Sequence, residues 1–303
     1  MTEPLLKSSE SPVVRSASRT RLILLGTGGG PTIHRNETRS GPASVLIVDD
    51  KPYLVDCGAG APGQILRAGL KFEEVDNIFV THQHFDHNSD LGNLMAYAWY
   101  AGRREPIDVW GPPRLGGYIS DYVQLNSFDF ELRERETGRS PFALIPRANE
   151  IDMDGIIKSE PLEIMSDDQV TVTALRVEHG LVPAVAYRFK TPDLDVTFSG
   201  DRGGDDEIVR FAQDTDVLVH EVLHYDAMRK TFPNANETVL SHYRNDHTAP
   251  EEVGRIAKEA NVGCLVLNHI LPDNDLVSAE EWTRLVRQTY DGEILVGTDL
   301  MEV

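Results

Sequence analysis

Residues 77–90 read Asn77-Ile78-Phe79-Val80-Thr81-His82-Gln83-His84-Phe85-Asp86-His87-Asn88-Ser89-Asp90, a short β-type run that empties into three histidines and an aspartate. Imidazole and carboxylate are the ligands zinc prefers where thiolate is absent. In an extended segment side-chain direction repeats every two residues, so His82 and His84 face one way and can reach one ion. Asp86 and His87 then turn into a helix whose start is marked by Ser89-Asp90, and their different direction suits a second ion. Three further metal-capable residues stand just past strand-like runs: His179 after 170–177, Asp201 after Phe198-Ser199-Gly200, and His269 after Leu265-Val266-Leu267. Residues past strand ends converge on sites in α/β architectures.

Outward from this stretch, short β-type runs alternate with amphipathic helical windows. Strands are expected at 22–25, 44–48, 53–55 and 78–80, with a helix over 62–70. A second series follows, with strands at 170–177, 184–189, 196–199, 217–220, 264–267 and 293–296. Its helices fall at 205–213, 250–260 and 279–290. Two strand-rich halves, each with helices, predict an α/β fold: two mixed sheets face to face with helices outside, in one domain over 21–303. Thr248 is the expected N-cap of the 250–260 helix, with Pro250 and Glu251-Glu252 in its first turn. Residues 127–169 carry Pro141, Pro146 and Pro161 without periodicity, and are expected to be an irregular insertion near the active site.

The first twenty residues are rich in Ser, Pro and charge and carry no apolar block, which predicts a flexible tail rather than a secretory signal. Cys57 and Cys264 lie in or beside apolar runs, as buried free thiols do. Their expected reduced state points to the cytoplasm, and no stretch is long and apolar enough to span a membrane. A net charge of −20 and a pI near 4.8 argue against a nucleic-acid partner, whose phosphates need Lys and Arg. The glycine run 26–30 lacks the Lys-Ser/Thr ending of a P-loop and the GxGxxG spacing, so it is expected to be a tight turn beside the metal site. Asp56 is expected to orient a ligating histidine by a hydrogen bond. His34, His220, His224 and His242 are given no catalytic role.

Thr81-His82-Gln83-His84-Phe85-Asp86-His87 resembles the HxHxDH motif of the metallo-β-lactamase superfamily. The resemblance runs from Gly26-Thr27-Gly28-Gly29-Gly30 through Asp56-Cys57-Gly58 to Leu267-Asn268-His269, and implies the superfamily's αββα sandwich. Carried over by position, it implies two Zn²⁺ per chain: His82, His84 and His179 on one, Asp86, His87 and His269 on the other, and Asp201 bridging them. His247-Thr248-Ala249-Pro250-Glu251-Glu252 is similar to the ribonuclease Z and arylsulfatase-like branch. On that resemblance His247 acts near the substrate, and His247 and Asp86 are the expected catalytic residues. Relatives of this kind imply a homodimer.

The segment 188–195 resembles a short hairpin turn where bacterial ribonuclease Z carries a basic tRNA-clamping arm. That difference and the net charge favour a zinc-dependent hydrolase of small ester-like substrates, arylsulfatase-like and acting on a sulfate ester, phosphodiester or lactone. The alternative is a ribonuclease Z-type endonuclease processing tRNA 3′ ends. Arg202 departs from the Thr usual in that branch. Tyr97, Trp99, Tyr100, Trp110, Tyr118 and Tyr122 are candidates to line a substrate site.

Overall fold

The computed structural model describes residues 18–31, 39–153, 160–204, 206–273 and 276–303. Strands and helices are numbered in chain order. One sheet contains β1 (Thr20–Gly26), β2 (Ala43–Val48), β3 (Lys51–Val55), β4 (Asn77–Phe79), β5 (Ile107–Gly111) and β6 (Pro146–Glu150), with β14 (Met301–Glu302) beside β1. The other runs in simple chain order through β7 (Leu162–Ser166), β8 (Thr171–Val177), β9 (Ala184–Lys190), β10 (Asp195–Phe198), β11 (Val217–Leu223), β12 (Cys264–Leu271) and β13 (Glu293–Val296). The helices are α1 (Ala61–Arg67), α2 (Phe85–Asn88), α3 (Leu91–Ala101), α4 (Leu115–Leu125), α5 (Ser127–Thr137), α6 (Glu207–Phe211), α7 (Tyr225–Thr231), α8 (Glu237–Asp246), α9 (Pro250–Glu259) and α10 (Ala279–Val286).

Strand periodicity sorts the apolar residues into layers. Leu22 and Leu24 of β1 join Phe79, Tyr187, Phe189 and Val266 in the core between the sheets. Ile23 and Leu25 point the other way, into a layer under α1, α3 and α4 with Leu94, Trp99 and Leu115. On the far side, Leu265 and Leu267 of β12 meet Val253, Ile256 and Trp282 from α9 and α10. Strands β10 to β13 pair in parallel. Being covered on both faces, they read as nearly continuous apolar runs.

Strand direction also explains the site's position. Strands β4, β8, β10 and β12 deliver the residues after or near their C-terminal ends to one rim of the sandwich. An isolated bridge between His82 and Ala184 ties the two sheets together there.

Several expectations need correction. The described residues of the segment 127–169 are not irregular: they hold α5, a 3-10 turn at Phe142–Leu144, β6 and β7. Its prolines mark element boundaries, since Pro141 caps the turn, Pro146 opens β6 and Pro161 precedes β7. Periodicity was faint because α5 buries only Phe130, while Arg133 and Arg135 pair with Asp129 and Glu131 one turn away. Of the expected tail, Thr20 already belongs to β1, and 1–17 and His34 lie outside the described residues. Thr248 is not the cap of α9: Ala249 holds that position, and the Thr248 hydroxyl donates to the Arg202 carbonyl at 3.2 Å. Both cysteines are free. Among the described residues no helix is long and apolar enough to cross a membrane.

Candidate metal centre

At the end of β4 the chain leaves the sheet extended, and His82 Nε2 comes within 3.0 Å of His84 Nδ1. The turn after β8 brings His179 Nε2 to 3.1 Å from the same His84 nitrogen. Outer hydrogen bonds decide which nitrogens carry protons. His179 Nδ1 donates to the Asp246 carbonyl at 2.8 Å, which can only accept, so its Nε2 presents a lone pair inward. Thr81 Oγ1 donates to Asp56 and accepts from His82 Nδ1 at 3.1 Å, which leaves the His82 Nε2 lone pair inward as well. Two imidazole lone pairs therefore converge on His84 Nδ1, where at most one proton is available to serve them.

A second group lies beside the first. His87 Nδ1 donates to Asp56 Oδ2 at 2.9 Å, which turns its Nε2 toward Asp86 and Asp201, at 3.6 and 3.3 Å. His269 Nε2 stands 3.3 Å from Asp86 Oδ2 and 3.2 Å from Asp201 Oδ2. The same Asp201 oxygen is 3.9 Å from both His82 Nε2 and His179 Nε2, so it faces both groups. Backbone irregularity aims two of these residues. Glu221 pairs with Asn268 and Val222 with Ile270, which leaves His269 as the extra residue of a bulge with φ 43°. Asp56 is likewise left-handed, at φ 59°. Such backbone costs energy and persists where the surroundings enforce it.

The donor set fits metal ions. His82-His84-His179, Asp86-His87-His269 and His82-His87-Asp201 each gather three ligand atoms within 4.8 Å of one another. Buried His87 Nε2 and Asp201 Oδ1 have no hydrogen-bond partner, the state expected of atoms built to face a cation. A tetrahedral zinc with nitrogen ligands at about 2.0–2.1 Å spaces them roughly 3.4 Å apart, close to what is seen here. Burial pulls His82 down strongly, and burial with His179 nearby holds His84 at about 4, so both stay neutral. Burial also pulls His87 down, yet Asp201, Asp56 and Asp86 outweigh it and raise its affinity for positive charge. The same carboxylates favour a cation at that spot.

A cavity of about 260 Å³ opens beside these groups, with His84, Asp86, Asp201, His247 and His269 in its lining. His247 Nδ1 lies 3.3 Å from Glu221 Oε2, and the other Glu221 oxygen accepts the Thr248 amide at 2.7 Å. Burial lowers the His247 imidazole, but Glu221 overcomes it and holds the group above its ordinary value. Glu221 was given no role from the sequence; its buried position in β11 facing His247 supplies one. His242 also lines the cavity, its Nδ1 2.6 Å from Asp246 Oδ2. The aromatics there are Phe85, Phe232 and Tyr243. The six expected ones do not line it, and Trp99, Tyr100, Tyr118 and Tyr122 instead pack in or against the core beneath the helices.

The family model described as "Beta-lactamase superfamily domain" matches residues 52–270. This chain belongs to the metallo-β-lactamase superfamily. A ribonuclease Z of Mycobacterium bovis is 25% identical over 294 residues, covering 93% of this chain and 97% of that protein. The human short-form tRNase Z structure has a TM-score of 0.68 at 22% identity, over 93% of this chain and 98% of its own. The metallo-β-lactamase fold protein YhfI from Bacillus subtilis has a TM-score of 0.67 at 20% identity, over 94% and 100%. The superfamily's αββα sandwich is thus the observed fold, and the chain is a metal-dependent hydrolase.

The comparisons correct one expectation: the argument from charge against nucleic acid fails, because ribonucleases are matched along nearly the whole chain. Net charge is a whole-surface sum and says little about one rim of a sandwich. The superfamily's glycine run does lie against the site, as expected of a tight turn. The Gly30 amide donates to Asp86 Oδ2 at 3.0 Å, and a Cβ on Gly29 would stand 2.7 Å from Leu271 Cγ and 2.8 Å from His269 Nδ1. Gly29→Ala is therefore expected to cost about 1–3 kcal/mol of stability and to loosen metal, read by urea unfolding and elemental analysis. Gly117→Ala, in α4 with open space around its Cβ, should be neutral or slightly stabilising. Equal behaviour of the two variants would mean that Gly29 does not set the His269 position.

Proposed function

We propose that this chain is a ribonuclease Z-type RNA phosphodiesterase that holds two zinc ions, with tRNA 3′ ends as its substrate class. The observation that carries the reading is the ribonuclease Z likeness over 93% of the chain, which includes every donor of both groups. It favours this reading over hydrolysis of a sulfate ester or lactone. His82, His84 and His179 would hold one ion and Asp86, His87 and His269 the other, with Asp201 between them. When bound, the ions supply Lewis-acid activation of water and of a phosphoryl oxygen.

The chain's own residues do the rest. Asp56 and the Asp246 carbonyl keep His87 and His179 in the tautomer whose Nε2 faces inward. Glu221 orients His247, which donates a proton to the departing oxygen. Between β9 and β10 the chain turns within Lys190–Asp195, so RNA must be gripped on the sandwich itself rather than by an arm at that place.

The zinc-loaded protein is expected to cut a precursor tRNA and bis-nitrophenyl phosphate, to lose both activities to a chelator, and to leave nitrophenyl sulfate intact. Sulfate turnover without RNA cleavage would overturn the reading.

A further inference from the structure

The lining of the cavity beside the metal centre is of two unlike kinds. Imidazoles and carboxylates make up one, and Phe85, Met228, Phe232, Tyr243, Leu271 and Pro272 the other. The apolar set has its own foundation. Leu223, Met228 and Leu271 form a small buried cluster, and Phe232 and Tyr243 pack on it with ring centroids 6.3 Å apart and planes 25° from parallel. Phe85 sits between two donors, His84 and Asp86, yet is 69% exposed. A large aromatic ring standing in water at the mouth of a cavity gains little from the protein's own packing. Among the described residues lining the cavity there is no Lys or Arg. Positive charge for a phosphate would thus come from ions held by the donor groups and from the imidazoles beside them, and the apolar remainder of the cavity suits a flat, uncharged group.

We propose that this cavity is a ring subsite that takes the nucleobase of a nucleotide flanking the scissile phosphate, stacked against Phe85, Phe232 and Tyr243. The proposal rests on the phosphodiesterase reading for its choice of a nucleobase over another aryl ring. Every base has a π-face, so aromatic side chains hold bases without demanding a sequence. The phosphate then lies over the donor groups while the base lies in the apolar part, which fixes the scissile bond relative to His247 by two contacts of different chemistry.

Adenosine 5′-monophosphate and ribose 5-phosphate carry the same phosphate and sugar and differ by the base alone. Calorimetric titration of the zinc-loaded protein is expected to give at least about tenfold tighter binding of the nucleotide, as base stacking does elsewhere. Phe85→Ala should shrink that advantage to about threefold or less while ribose 5-phosphate binding and zinc content stay as they were. Phe232→Leu, which keeps an apolar filler, should shrink it in the same sense. Equal binding of the two ligands by the unaltered protein overturns the subsite, as does a uniform loss on both ligands in both variants. RNA cleavage is read separately. A base advantage without RNA cleavage leaves the subsite standing and removes the ribonuclease reading, and cleavage without a base advantage does the reverse.

Discussion

Replacing Asp201 by Ala is expected to abolish turnover and to loosen both metal ions. One of its oxygens faces His87 and His269 at 3.2–3.3 Å and His82 and His179 at 3.9 Å, so no other side chain among the described residues serves both groups as directly. Metal assistance is worth several kcal/mol of transition-state stabilisation, and each 1.36 kcal/mol is tenfold in rate, so kcat should fall by about 10³ or more. Elemental analysis should show less than one tightly held ion per chain where the unaltered protein is expected to hold two. His242→Ala is the control. That histidine lines the same cavity but joins none of the ligand groups, and its removal should leave metal content intact. If His242→Ala stripped the metal while Asp201→Ala kept it, the ligand assignment would be inverted.

Much of this centre was legible in the sequence because its donors come in a local run or at strand ends. His82 and His84 share a face by strand geometry, and His179, Asp201 and His269 each follow a strand or sit within one. Other features were not local. His269 reaches the site through a bulge that slips β12 by one residue against β11, and nothing in Leu267-Asn268-His269 announces a bulge. Glu221 stands just past the strand expected at 217–220. It faces His247 only because β11 lies beside the loop that leads into α9. The cavity's apolar wall was missed altogether, since α7 and α8 are short and α8 buries none of its residues, so neither gives a helical hydrophobic pattern. The aromatics that did catch the eye, from Tyr97 to Tyr122, sit on helices and strands whose apolar faces point into the core. Charge misled because a net sum over the whole surface does not say how one rim meets a substrate.

His247→Ala is expected to leave both metal ions bound and to slow the reaction in a way that depends on the leaving group. The imidazole is buried and held by Glu221, with its ring 5.3 Å from that of His179 and 5.7 Å from that of His269. It lies in ligand-capable groups with His179 and Asp201 and with Glu221 and His269, but outside the two sets proposed to hold the ions. General acid assistance is typically worth about 10²–10⁴ in rate, and it matters most where the departing oxygen is basic. An RNA leaving group departs as a sugar alkoxide and needs the proton, whereas nitrophenolate leaves without one. The variant should lose about 10²–10⁴ on RNA and roughly tenfold or less on bis-nitrophenyl phosphate. Glu221→Gln should repeat the pattern more weakly, because an amide keeps the contact but gives up the charge that raises the His247 imidazole. Equal losses on the two substrates with metal content unchanged would make His247 a positioning residue, and loss of metal would make it part of the ligand scaffold. Only the unequal loss identifies the proton donor, since binding and scaffolding act on both substrates alike.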